Sequence, residues 1–260
     1  MIDTHAHLVD EKQTDVDKII KKAVGVGVKK IVLAGSNIED SVKNVLLTEK
    51  YKGILYPAVG IHPQEKISED SQIDRWLKKL EKLIKENEVI AIGECGLDYS
   101  QLNENDRQIK INRQEKLFRN QICLSLKYKL PLIIHARKAV DETVEILSQY
   151  KKTQGVFHCY AGGKKRIKKV DSLGKNWYFG FDGNLTYEVG LEEAVKMVNK
   201  NRLLLETDSP FLTPIPYRGE KNQPAYVKYV YEKVARIWEM KVSEVEKIVD
   251  KNAAKLMGLV

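Results

Sequence analysis

Short runs of consecutive apolar residues alternate along the chain with longer stretches whose apolar positions recur every three or four residues. The short runs cover residues 2–5, 30–34, 54–59, 89–93, 132–135, 155–158, 177–181 and 203–206. They are nearly continuous in Val, Ile and Leu, as expected of parallel strands covered on both faces. The longer stretches cover 16–26, 39–51, 73–86, 113–128, 139–150, 164–173 and 191–198, with 225–238 and 243–255 after the eighth strand. Helical spacing is plain in Ile73, Leu77, Leu80 and Ile84. Eight strands each followed by helix predict one α/β domain over residues 1–260: a (β/α)8 TIM barrel with a C-terminal helical addition. Alternation alone leaves an open, doubly wound sheet as the alternative.

Punctuation adds one feature. Residues 209–224, SPFLTPIPYRGEKNQP, hold four of the seven prolines and follow the eighth strand. A long loop at that place in such a barrel is expected to be functional rather than connective. No Gly/Ser-rich or Pro-rich linker divides the chain, and no low-complexity segment appears.

Composition narrows the classes. No run approaches the roughly 18 apolar residues of a membrane span. Met1 leads directly into an apolar run without a basic region or cleavage site, so no signal peptide is expected and the location is expected to be cytoplasmic. Cys95, Cys123 and Cys159 form no CxxC pair, which argues against a disulfide framework or structural zinc site. They are expected to be inert, buried thiols, with Cys95 and Cys159 facing the helices. The net charge of +8 and pI near 9.1 favour a polyanionic partner without defining a site. A basic run of Lys164, Lys165, Arg166, Lys168 and Lys169 could guide a nucleic-acid strand or simply be a solvated helix face.

The chemistry lies at the strand ends. All five histidines sit where an apolar run stops: His5 and His7, His62, His135 and His158. Glu94 and Asp208 have the same placing. In a closed barrel these ends share one mouth, where active sites of this architecture lie. Imidazoles and carboxylates gathered there make a metal centre. The inventory exceeds one catalytic ion, so we expect two divalent ions: His5, His7 and Asp208 on one, His135 and His158 on the other, and Glu94 between them. Asp208 is also placed to act as general base. Glu206, of the same parity, is expected to orient a ligand. His62 and Arg137 are expected to contact substrate phosphate. Asp98 and Tyr99 line the mouth or belong to a simple turn.

Seven segments together resemble the TatD family of metal-dependent deoxyribonucleases. They are IDTHAHL at 2–8, VGIHP at 59–63, IGECGLDY at 92–99, PLIIHAR at 131–137, HCYAG at 158–162, LLETDSP at 204–210 and PYRGEKNQPAYV at 216–227. The resemblance spans essentially the whole chain in order. It implies a barrel of the amidohydrolase type, the ligand set above, and DNase activity, often exonucleolytic from 3′ to 5′. DNA, as single-stranded ends, would be the partner, with Mg2+, Mn2+ or Zn2+ as cofactor and no obligate protein partner; a monomer is the default. Arg218 joins His62 and Arg137 as an expected substrate contact. Tyr187 and Glu188 stand where the family commonly has an aromatic–Lys pair, which would weaken a phosphate contact. The same site could instead cleave another ester or amide, such as the ester of D-aminoacyl-tRNA. A non-catalytic nucleic-acid-binding protein is the further alternative.

Overall fold

The structure, a computed structural model, describes residues 1–8 and 13–259. Its first half runs β1 (Ile2–Ala6), α1 (Gln13–Gly25), β2 (Lys30–Leu33), α2 (Ile38–Lys50), β3 (Leu55–Val59), α3 (Asp70–Glu86), β4 (Ala91–Asp98) and α4 (Arg107–Tyr128). The second half runs β5 (Leu132–Arg137), α5 (Val140–Ser148), β6 (Gly155–Phe157), α6 (Gly163–Ser172), β7 (Trp177–Phe181), α7 (Leu191–Met197) and β8 (Leu203–Leu205). After β8 come the long loop, α8 (Val227–Trp238) and α9 (Val242–Met257).

The strands are parallel and follow one another in sequence order, β1 to β8. That order excludes the doubly wound sheet, which requires a reversal. Closure between the last and first strands rests on a few contacts just beyond β8. The Asp208 amide donates to the His5 carbonyl at 2.9 Å, and the His7 amide to that of Ser209 at 2.7 Å. Buried Asp3 receives hydrogen bonds from the Thr207 amide at 2.9 Å and the Thr207 hydroxyl at 2.7 Å. Asp3 therefore belongs to the seam rather than to the mouth.

Strand side chains divide with period two, as the pleat requires. Ile2, Val32, Ala58, Ala91, Ile133, Val156, Tyr178 and Leu204, one from each strand, pack together inside the barrel. Ala253, Leu256, Met257 and Leu259 from the end of α9 and beyond pack on that set. The C-terminal addition thus closes the end opposite the mouth that carries the strand C-termini. Neighbouring positions such as Ile31, Leu33, Leu132, Ile134, Leu203 and Leu205 belong to the larger core shared with the helices. No helix among the described residues is long and apolar enough to cross a membrane.

Most element ends lie within a residue or two of the sequence expectation. The main correction is β4, expected at 89–93 but found at Ala91–Asp98. Its polar second half reads as a loop, and only pairing with β5 makes it a strand. α4 also begins earlier, at Arg107 rather than 113. Two strands carry one extra residue relative to their partners. In β1, Asp3 and Ala6 oppose Ile31 and Leu33; in β4, Ile92 and Cys95 oppose Leu132 and Ile134. Such bulges re-aim side chains next to sites, and these two flank His5 and Glu94.

Gly96 makes the β4–β5 register possible. Its φ is +139°, and a Cβ there would meet the His135 carbonyl oxygen at 2.1 Å. We expect Gly96→Ala to lower unfolding stability by about 2–5 kcal/mol, combining backbone strain with overpacking. Gly163→Ala, with φ +66° and no atom within 4 Å of its Cβ, should cost only about 1–2 kcal/mol. Urea unfolding of the two variants checks the difference.

Candidate metal centre

The mouth of the barrel opens into a cavity of about 1190 Å³. Its lining includes His7, His62, Glu94, His135, His158 and Asp208. β1 supplies His5 and leads directly to His7; β4 supplies Glu94, and β5 supplies His135. His158 and Asp208 follow β6 and β8. Each side chain is therefore placed by a strand end that its neighbours hold in register.

Glu94 lies at the centre, buried. Its Oε1 is 2.6 Å from His135 Nδ1 and 2.8 Å from His158 Nε2. Its Oε2 faces the other way, 3.4 Å from His5 Nε2 and 3.6 Å from His7 Nε2. Asp208 Oδ1 completes that second side, 3.5 Å from His5 Nε2 and 3.6 Å from His7 Nε2. The two imidazole nitrogens of His5 and His7 lie 3.0 Å apart. The six proposed ligands from five strand ends thus converge, and the Glu94 oxygens separate them into two sets.

Electrostatics follow from this crowding. Burial pushes the Glu94 carboxyl upward, but the charge of His158 and hydrogen bonds with His135 and His158 outweigh it and hold it well below its ordinary value. Asp208 is lowered in the same way: burial opposes ionisation, and His7 and His5 overcome it. Both carboxylates are thus available as anionic ligands. The mixed N/O donor set suits a divalent cation. His5 Nε2 and His7 Nε2 converge on the same space, and a shared cation would satisfy both.

His62 is drawn into the same group. Its Nε2 is 3.3 Å from His135 Nδ1 and 3.5 Å from Glu94 Oε1. It is not among the ligands expected from sequence, yet three-donor groups with metal-binding spacing include both His5–His7–Asp208 and His62–Glu94–His135. Burial lowers its pKa to about 4, so the ring is neutral near pH 7. A neutral imidazole can coordinate a metal or donate a hydrogen bond, but brings no charge to a phosphate.

Outer residues fix the imidazoles. Asp98 Oδ2 sits 3.1 Å from His135 Nε2, opposite the Glu94 contact. Gln64 donates to Asp98 Oδ2 at 2.7 Å, and the Ser100 amide and hydroxyl donate to Oδ1 at 2.8 and 2.6 Å. The sequence alone leaves Asp98 between mouth and turn; its parity with Glu94 is the available signal once β4 continues past Gly93. Glu206 lies under His158, its Oε1 3.6 Å from Nδ1 and 2.6 Å from the Cys159 amide. Its Oε2 accepts from the Thr4 hydroxyl at 3.3 Å, which ties β8 to β1 below the site.

The expected substrate contacts separate. Arg137 is exposed on the cavity wall, with no side-chain partner among the described residues. Arg218 is not on that wall; its guanidinium packs 3.7 Å from the centroid of the Tyr187 ring. The basic run is partly neutralised: Lys164 pairs with Glu193 at 3.3 Å, and Arg166 and Lys169 pair with Asp141 at 3.3 and 2.9 Å. Two thiol expectations also need correction. Cys123 is exposed on α4. Cys159 lines the cavity rather than facing the helices, because φ +44° breaks the strand alternation that parity assumes.

Barrel and donor cluster together define a metal-dependent hydrolase. The profile of the TatD related DNase family matches residues 2–258. The chain is 36% identical to the uncharacterized metal-dependent hydrolase YabD of Bacillus subtilis, covering all of this chain and 99% of that protein. It is 31% identical to the uncharacterized metal-dependent hydrolase YcfH of Escherichia coli, over all of this chain and 96% of that one. Among solved structures, the TatD homolog YJJV of Escherichia coli superposes with a TM-score of 0.88 at 28% identity, over 99% of this chain and 98% of that one. A TatD-family hydrolase from Entamoeba histolytica, at 22% identity, shares the fold with a TM-score of 0.85, over 100% and 98% of the two chains. The chain belongs to the TatD-related DNase family.

Asp98 provides a test of how the outer residues work. Loss of such a partner typically costs about 10–100-fold in metal affinity or activity. We expect Asp98→Asn to lower metal affinity in that range, as checked by metal titration, and to lower the thermal stability of the metal-free protein in calorimetry, because the buried carboxylate accepts from Gln64 and Ser100 and contacts His135.

Proposed function

We propose that the protein is a deoxyribonuclease that hydrolyses DNA phosphodiester bonds with two divalent ions, working as a 3′ to 5′ exonuclease. The observation that supports this reading is the division of the Glu94 oxygens between two donor sets. His5, His7 and Asp208 would hold one ion, His135 and His158 the other, and Glu94 both. Such a pair would supply Lewis acidity to a phosphoryl oxygen and lower the pKa of a water towards about 7. Mg2+, Mn2+ and Zn2+ are the candidate ions.

The chain's own groups do the rest. Asp208, kept ionised by His7 and His5, accepts a proton from the attacking water. Glu94 stays ionised and orients the imidazoles around it. His62 donates a hydrogen bond to a phosphate oxygen rather than a charge. Arg137, on the wall with no side-chain partner among the described residues, meets a non-bridging oxygen through its planar fork. Arg218, braced on Tyr187 rather than on the cavity wall, meets a phosphate outside the cavity.

A second reading changes the bond and keeps the site. Asp40, Glu65 and Glu188 line the same cavity as Arg137 and Arg166. Carboxylates there suit an amino group, which favours an ester such as that of D-aminoacyl-tRNA as the alternative substrate.

Incubation with single-stranded DNA, duplex DNA and aminoacyl-tRNA, each with Mg2+, Mn2+ or Zn2+, separates the readings. Metal-dependent shortening of single strands from the 3′ end is expected; deacylation without DNA cleavage moves the assignment to the second reading. Glu94→Ala removes a shared ligand, so its loss of activity should exceed the roughly 100-fold seen for outer partners, with a parallel fall in bound metal. Undiminished cleavage by the metal-depleted variant would sink the proposal. His62→Ala is expected to impair turnover and spare metal content; if bound metal falls as well, His62 is a ligand alongside Glu94 and His135.

A further inference from the structure

Four of the five phenylalanines, Phe118, Phe157, Phe179 and Phe181, are fully buried. Phe211 is 60% exposed, yet it lines the cavity of the metal centre. Its ring centroid is 6.4 Å from that of His7, the two rings inclined at 67°. An exposed aromatic at one chosen point of a cavity differs from the scattered surface apolar groups that every protein carries.

The backbone around it is pinned on both sides. The Phe211 amide donates to the Asp208 carbonyl at 2.9 Å. Its carbonyl accepts from Asn222 Nδ2 at 2.5 Å, and the same buried amide group donates to the Thr207 carbonyl at 2.8 Å. Asn222 thus fastens the segment that carries both Asp208 and Phe211. The aromatic surface is held ready, which limits the ordering cost of binding.

The rest of the wall is complementary. Arg137 and Lys138, after β5, and Arg166, on α6, line the same cavity. In an eight-strand barrel taken in sequence order, the loop after β5 lies three strand positions from the loop after β8. Arg166 is paired with Asp141, and Asp40, Glu65 and Glu188 lie elsewhere on the wall, so the cations offered across from the aromatic face are Arg137 and Lys138. A nucleotide has that same division between phosphate and base.

We infer that Phe211 is the stacking platform for the nucleobase beside the scissile phosphate, a specificity-determining residue for single-stranded ends. The inference rests on the nuclease reading. Every base has a π-face, so the contribution is expected to be similar for all four. Duplex ends are disfavoured because their bases are already stacked on one another.

The test is a cycle between enzyme and substrate. kcat/KM is measured for the wild type, Phe211→Ala, Phe211→Leu and Phe211→Trp on single-stranded oligonucleotides. The nucleotide beside the scissile phosphate is either natural or an abasic tetrahydrofuran. Removing the base should cost the wild type on the order of tenfold. Phe211→Ala and Phe211→Leu should lose a similar factor on the natural substrate and nothing further on the abasic one, with unchanged metal content. Phe211→Trp should retain the sensitivity to the base. Independent, multiplicative losses, or a wild type indifferent to the base, overturn the assignment while leaving the nuclease reading intact. If the wild type cleaves no oligonucleotide with any of the three ions, the nuclease reading falls and the role of Phe211 falls with it.

Discussion

The Glu94 carboxylate, in contact with imidazoles from β1, β5 and β6, sets the terms for the rest of the mouth. An ionised carboxylate out of water costs several kcal/mol unless it is paired. Here the surrounding imidazoles keep it ionised against that penalty. In return its two oxygens give those imidazoles a common centre and divide them into two groups. Removing it would leave five histidines in one cavity with only Asp208 among the proposed ligands to balance them. Asp98 and Glu206 act at the next layer, holding His135 and His158 from the sides that face away from Glu94.

The barrel exists to bring those groups to one place. Bulges in β1 and β4 re-aim His5 and Glu94, and Gly96 lets β4 approach β5 closely enough to set Glu94 against His135. Closure between β8 and β1 depends on Asp3 and Thr207 and on backbone bonds from Asp208 and His7. The residues that close the barrel are thus neighbours in sequence of those that would bind metal. Strain or loosening at this seam would reach the donors directly. The opposite end is filled by apolar side chains and plugged by α9, which leaves the mouth free for chemistry.

Much of the site was legible because of what metal chemistry demands. Imidazoles and carboxylates at the ends of apolar runs are an uneconomical choice for packing, so His5, His7, Glu94, His135, His158 and Asp208 stood out from the pattern alone. Asp98 did not, because the polar half of β4 has no apolar signature and is a strand only through pairing with β5. Phe211 did not, because nothing in a sequence distinguishes an exposed phenylalanine from a buried one. Lys164, Arg166 and Lys169 read as a basic run, but their charge is partly offset by Glu193 and Asp141, which come from other helices.

The chain's own pattern determined the eight strands, their order of alternation with helices, and the chemical character of each strand end. Those are local properties, carried by apolar spacing and residue type. Only the tertiary structure decided that the sheet closes, which Glu94 oxygen faces which histidine, that His62 joins the donor cluster, and that Arg218 lies on Tyr187 instead of the cavity wall. Each of these depends on register, bulges and contacts between residues distant in sequence. One residue of slip reverses the face a side chain takes, and local spacing contains no record of it.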